Sequence, residues 1–155
     1  MIVTITLATI LIFVILFSKR KPTTEVQPTL IIDKYEWGVF DIAIVNLINE
    51  YRLANGIGAV NIDSLLLDLS YSHSEYMSLK GILSHDNIEN RQAFMEPIPI
   101  GEVVGSEMNN PKSYLAKWKK SADHNACILD KDFTKIGVSH SFGKDGVRYV
   151  TAIFS

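Results

Sequence analysis

The chain has 155 residues, 47% of them hydrophobic and 21% charged, a balance that argues against a disordered chain and suits one globular core. Fifteen basic and seventeen acidic side chains give a net charge of −2, and residues 1–35 carry four basic against two acidic, so the rest is mildly acidic. That part lacks the basic stripe that phosphate neutralisation needs, which argues against a nucleic-acid partner, and a single cysteine, Cys127, excludes an internal disulfide.

Residues 1–18, MIVTITLATILIFVILFS, hold no charged side chain. As a helix rising about 1.5 Å per residue they would cover about 27 Å, close to the minimum that crosses a bilayer. No basic residue precedes the run, and Lys19, Arg20 and Lys21 follow it in place of a small-residue cleavage site. The pattern predicts a single-pass transmembrane anchor or uncleaved signal. Residues 19–35, with Pro22 and Pro28 among polar side chains, read as an extended linker, and residues 36–155 as the folded domain.

Within the domain, Phe40, Ile44, Leu47, Ile48 and Tyr51 recur at spacings of three and four, which predicts a helix over 36–55 stopped by Gly56. A second helix is predicted over 64–80, capped by Asp63 or Ser64 and ended by Gly81, with Leu66, Leu69, His73, Tyr76 and Met77 as its buried stripe. Residues 98–104 are a possible strand. Asn110-Pro111 is a cap followed by proline at the first helical position, opening a third helix through Tyr114, Leu115 and Trp118 to about Ser121. The chain closes with a hairpin: KIGVSHSF and VRYVTAIF flank the turn Gly143-Lys144-Asp145-Gly146. No helix separates the last two strands, so the class is α+β rather than a parallel βαβ series.

Four histidines are available for chemistry, and none is spaced as a metal pair; nucleophile-elbow and phosphate-loop motifs are also missing. His73 and His140 read as packed residues with a ring nitrogen on backbone or solvent. His85 and His124 sit in the polar junctions LSHDN and SADHN, where loops beside rigid elements place functional groups, although capping and turn formation also explain such junctions. Cys127 lies in an apolar run and reads as a small hydrophobe.

Taken in order, LINEYRLANG, the helix ending before LSHDN, GEVVG, WKKSADHNACIL and FTKIGV resemble the CAP superfamily (SCP domains), in particular its bacterial cysteine-poor branch. The resemblance spans about 110 residues and implies a three-layer α-β-α sandwich with a small antiparallel sheet. It also implies an open cleft in which His85, Glu102 and His124 converge, with His85 and His124 as ligands of a divalent metal, zinc first. Two imidazoles, a carboxylate and water suit that ion; Glu102 could otherwise act as a general base or fix an imidazole tautomer. Ser121 stands where many eukaryotic members carry a second glutamate, which implies weaker metal binding. Asp123, beside His124, is the residue whose carboxylate could replace it in part. Arg91 is expected to pin its loop through Glu89, Glu96 or a backbone carbonyl.

Two classes of function follow. The first is a membrane-anchored binding or interaction module at the cell envelope, its cleft recognising a small molecule, lipid, peptide or cell-wall fragment. The second is a metal-assisted hydrolase that uses His85, His124 and Glu102, and a scaffold with a vestigial cleft is the blander alternative. The Lys19–Lys21 cluster favours a cytoplasmic domain, whereas the resemblance implies an extracytoplasmic one, and the latter is the reading adopted.

Overall fold

The computed structural model describes residues 38–155. The predicted anchor at 1–18 and linker at 19–35 lie outside the described residues. Among the described residues no helix is long and apolar enough to cross a membrane.

In chain order the elements are α1 (Val39–Ala54), β1 (Asn61–Ile62), α2 (Ser64–Lys80), α3 (Ile88–Met95), β2 (Gly101–Ser106), α4 (Pro111–Lys120), α5 (Ala122–Ile128), β3 (Lys135–Phe142) and β4 (Arg148–Phe154). The four strands form one sheet in the order β1-β3-β4-β2. The family resemblance implies an antiparallel sheet; the observed one is mixed, because β1 runs parallel to β3 through Asn61–Lys135 and Ile62–Ile136. β4 is antiparallel to both neighbours, pairing Ile153 with Gly137 on one side and with Glu102 on the other.

Side-chain alternation gives the sheet two unlike faces. Val103, Ile136, Val138, Val150, Ala152 and Phe154 point to one side and pack with Ile44 and Ile48 of α1, Tyr114 and Trp118 of α4 and Ile128 of α5. Trp118 anchors this layer and its indole Nε1 donates to the Val104 carbonyl at 2.8 Å. Burial of one such large apolar side chain contributes roughly 1.5–3 kcal/mol.

The other face carries α2, and its contacts are largely polar. Ser70, Ser74 and Ser78, spaced by four, line the helix side turned to β3. Ser70 Oγ donates to the Gly137 carbonyl at 2.8 Å, Ser74 Oγ lies 3.0 Å from the Ser139 carbonyl and 2.9 Å from Thr151 Oγ1, and Ser78 Oγ lies 2.9 Å from Ser141 Oγ. Small side chains let the helix approach closely: a Cβ at Gly137 would collide with the main chain of Leu66 and Leu67. Apolar contacts at its two ends, Leu66 with Met95 and Ile153, and Met77 with Val104 and Tyr149, complete the layer.

Local signals set the helix ends. Asp63 caps α2 by accepting from the Leu65 and Leu66 amides, and Gly81 ends it in the left-handed region at φ 68°. Asn110 caps α4 through the Ser113 amide, with Pro111 at its first position. The predicted strand at 98–104 is shifted to Gly101–Ser106. Arg52 of α1, fully buried, donates to the carbonyls of Gly58, Ile128, Asp130 and Phe133 at 2.7–2.8 Å, tying α1 to the segment between α5 and β3. Asn49 exchanges two hydrogen bonds with the main chain of Val60.

Candidate functional site

Glu102 is the second residue of β2, and its side chain points to the α2 face, where it has no solvent exposure. A carboxylate so placed needs partners for both charge and lone pairs. His85 Nδ1 lies 2.8 Å from Oε1. Arg91 Nη2 donates to Oε1 at 2.8 Å and stands 2.7 Å from Oε2. His73 Nε2 is 3.7 Å from Oε1.

The loop that carries His85 is held from two helices. His73 Nε2 donates to the Ser84 carbonyl at 2.8 Å, Tyr76 donates to Asp86 Oδ2 at 3.0 Å, and Arg91 Nη1 donates to the Asp86 carbonyl at 2.9 Å. Arg91 therefore does pin the loop through a backbone carbonyl, but its carboxylate partner is Glu102 and neither Glu89 nor Glu96. The short helix α3 turns Arg91 and Met95, one turn apart, inward together, which directs the guanidinium away from its own helix and toward β2.

His124 comes from the other helical layer. It lies in α5, four residues before the fully buried Ile128, and its neighbour Asn125 accepts from the Tyr51 hydroxyl of α1 at 2.9 Å. The His85 and His124 rings face each other with centroids 5.8 Å apart, tilted by 51°. Ser121 lies at the junction of α4 and α5 and makes no side-chain cap. Asp123 is solvent-exposed in the first turn of α5, and it acts on His124 by its charge. The structure thus brings together His85, Glu102 and His124, adds His73 and Arg91, and leaves Asp123 at the rim.

Electrostatics follow from that packing. Burial pushes the Glu102 carboxyl up, but hydrogen bonds from His85 and Arg91 and the Arg91 charge outweigh it and hold the group below the usual range. Burial, followed for His124 by the neighbouring His85, lowers both His73 and His124. The ionised Glu102 accepts the Nδ1–H of His85, which leaves Nε2 as the ring nitrogen not engaged by the carboxylate, on a side chain that is 43% exposed.

The donor set can be tested against a metal on this geometry. Glu102 Oε1 is spent on His85 and Arg91, Oε2 is buried against the Arg91 charge without a hydrogen bond of its own, and among the described residues no group of three histidine, cysteine or acidic side chains gathers to hold an ion. Two imidazoles backed by a hydrogen-bonded carboxylate remain, a set that fits a weakly held divalent cation with water in the other positions. Cys127 is no alternative ligand or nucleophile: its sulfur packs under β2, 2.6 Å from where a Gly101 Cβ would lie, and burial pushes the thiol up to about 12. A separate surface hollow of about 590 Å³, between Asp63, Leu65, Met95, Phe133 and Lys135, contains none of the histidines.

A second histidine–carboxylate pair lies apart from this site. His140 Nδ1 is 2.8 Å from Oδ1 of the buried Asp41 and ties β3 to the start of α1. His140 is thus partly packed, as expected, but its partner is a side chain.

Among solved structures, the chain is similar to an outer surface protein of Borrelia burgdorferi at 17% identity and a TM-score of 0.66, over 74% of this chain and 90% of that one. It is similar to an extracellular SCP-domain protein of Bacillus anthracis at 23% identity and a TM-score of 0.60, covering 72% of this chain but only 38% of that one. NaASP2, solved with Zn2+, aligns at 10% identity and a TM-score of 0.57 over 75% of this chain and 78% of the other. At these identities the likeness concerns the fold. No curated protein sequence matches. The CAP family model, described as the cysteine-rich secretory protein family, matches residues 45–154, a stretch that runs from the core of α1 through β4 and holds His73, His85, Arg91, Glu102 and His124; the chain belongs to that family.

Proposed function

We propose that this protein is a membrane-anchored CAP domain that works by recognition, with His85 and His124 as the contact groups of its cleft and Glu102 as the residue that orients them. The observation that carries this reading is the state of Glu102. Its carboxylate is dry, ionised and committed to Arg91 and His85, so it is a poor general base, and what faces solvent is an imidazole pair.

That pair offers lone pairs and N–H donors to a polar ligand, whether small molecule, peptide, cell-wall fragment or lipid headgroup. A divalent ion, zinc first, would be held by His85 and His124 and would supply Lewis acidity to whatever oxygen it met. Ser121, in place of a further acid, leaves the ion without a third firm protein ligand. Anchoring draws its support from the uncharged run at 1–18 and the linker behind it, and an extracytoplasmic domain from the family.

Zinc titration of the full chain by calorimetry tests the site. The expected result is weak binding, lost in His124→Ala and in His85→Ala but kept in Asp123→Ala. Tight binding that survives His124→Ala, or ester or peptide turnover that vanishes in that variant, would favour the metal-assisted hydrolase instead.

A further inference from the structure

One end of the sheet gathers exposed apolar side chains where the chain enters the domain. The Asp41–His140 bond ties the first turn of α1 to the end of β3, and Arg148 stacks between Phe40 and Phe142 at 3.8 and 4.7 Å from the ring centroids. The Ser78–Ser141 hydrogen bond brings the last turn of α2 to the same place. Val39 (88% exposed), Phe142 (53%), Leu79 (72%) and Ile82 (59%) therefore share this end, on both sides of the sheet and at its edge. Lys80 and Lys144 stand exposed among them, with Asp145 exposed beside Lys144.

Such an assembly of solvent-facing apolar groups marks an interaction surface. Its occupant is indicated by the rest of the chain. The apolar run at 1–18 is joined to this end by residues 19–35, seventeen residues of chain. A domain so tethered meets its bilayer at high effective concentration, and weak apolar contact is then sufficient. The far end also exposes apolar groups, Leu53 and Leu65 among them, but it lies about 20 Å along α1 from Gly38, where the described chain begins, and its Asp63 and Asp132 are paired with Lys135 and Lys131, which leaves it no cationic surplus.

We propose that the entry end of the domain rests on the phospholipid surface, with Leu79, Ile82 and Phe142 at the interface and Lys80 and Lys144 toward lipid phosphates. The inference depends on the membrane-anchor reading given above.

The test uses the full chain reconstituted in vesicles of phosphatidylcholine and phosphatidylglycerol, with an environment-sensitive fluorophore on Leu79→Cys, Ile82→Cys or, as control, Leu53→Cys. Each labelled chain also carries Cys127→Ala, because Cys127 is free and only partly buried. The expected result is a blue-shifted emission that rises several-fold at 79 and 82 and is quenched by nitroxide-bearing lipid, with the label at 53 water-like and unquenched. Water-like emission at 79 and 82 in a chain that resists alkaline extraction overturns the inference and leaves the anchor standing. A signal that follows the protein-to-lipid ratio and ignores the nitroxide lipid assigns the surface to a second copy and overturns it as well. A chain extracted by alkali removes the anchor, and this proposal with it.

Discussion

The two faces of the sheet solve the same packing problem with different chemistry. Toward α1, α4 and α5 the contact is apolar, built on Ile44, Ile48, Tyr114 and Trp118. Toward α2 and α3 it is a row of serine hydroxyls continued by an ionic network of Glu102, Arg91, His85 and His73. The first face supplies non-directional burial that tolerates adjustment; the second supplies directional bonds that hold a carboxylate dry and an imidazole aimed. The His85–Glu102–Arg91 site is built on the second.

The largest effects should fall on the ionic part. Glu102→Ala leaves the Arg91 guanidinium buried without its counter-charge and is expected to cost about 3–5 kcal/mol in denaturant unfolding. The double variant Glu102→Leu/Arg91→Leu should cost less than the single one, because no charge is stranded. On the apolar face Trp118→Ala should cost a similar 3–5 kcal/mol or so through the cavity it opens, yet pairing it with Ile48→Ala should bring no such rescue. If the ionic pair also shows no rescue, the contrast between the faces fails.

Gly137→Ala probes the polar face by steric means. The added methyl would meet the backbone of Leu66 and Leu67, which cannot rotate away, so a loss near the upper end of overpacking costs, about 3 kcal/mol, is expected. A neutral result would mean that α2 rides higher on β3 than so close a contact requires.

A smaller effect is expected with pH. His73 and His124 are lowered from their ordinary value of 6.5 by burial, so the unfolded chain takes up their protons first and stability falls as pH drops below 6.5. Glu102, held below its ordinary 4.5, contributes stability that is complete above that pH and is lost as pH falls through its folded value. Both act in one direction, and the melting temperature should decline in two stages from pH 7 into acid. His73→Gln should flatten the first stage, and a wild-type melting temperature constant from pH 7 to 5 would contradict the assignment.

The apolar face is largely legible in the sequence, because Ile44, Ile48, Tyr114 and Trp118 follow helical spacing and Val138 and Val150 lie in alternating strands. The serine seam is not, since Ser70, Ser74 and Ser78 repeat every four residues but carry no apolar signal; the stripe read from Leu66, His73 and Met77 catches only part of the buried side. The two-residue β1 and the seven-residue α5 are too short for periodicity to register. His85, Glu102 and His124 can be named together only through the family resemblance, as 17 and 22 residues separate successive members and spacing is silent over such distances. Arg91 stands out in the sequence without its true carboxylate, because its own helix offers Glu89 nearby while the fold offers Glu102 from β2.

The central claim is that a buried Glu102 carboxylate fixes the proton of His85 on Nδ1 and leaves Nε2 without that bond, in a ring 5.8 Å from that of His124. Long-range proton–nitrogen NMR of the histidine rings at neutral pH reads this directly. The account predicts His85 as the Nδ1–H tautomer, reverting in Glu102→Gln to the Nε2–H form usual in water, with His73 as Nε2–H in both proteins. A His85 ring that carries its proton on Nε2 in the wild-type protein, or one indifferent to Glu102→Gln, would contradict it.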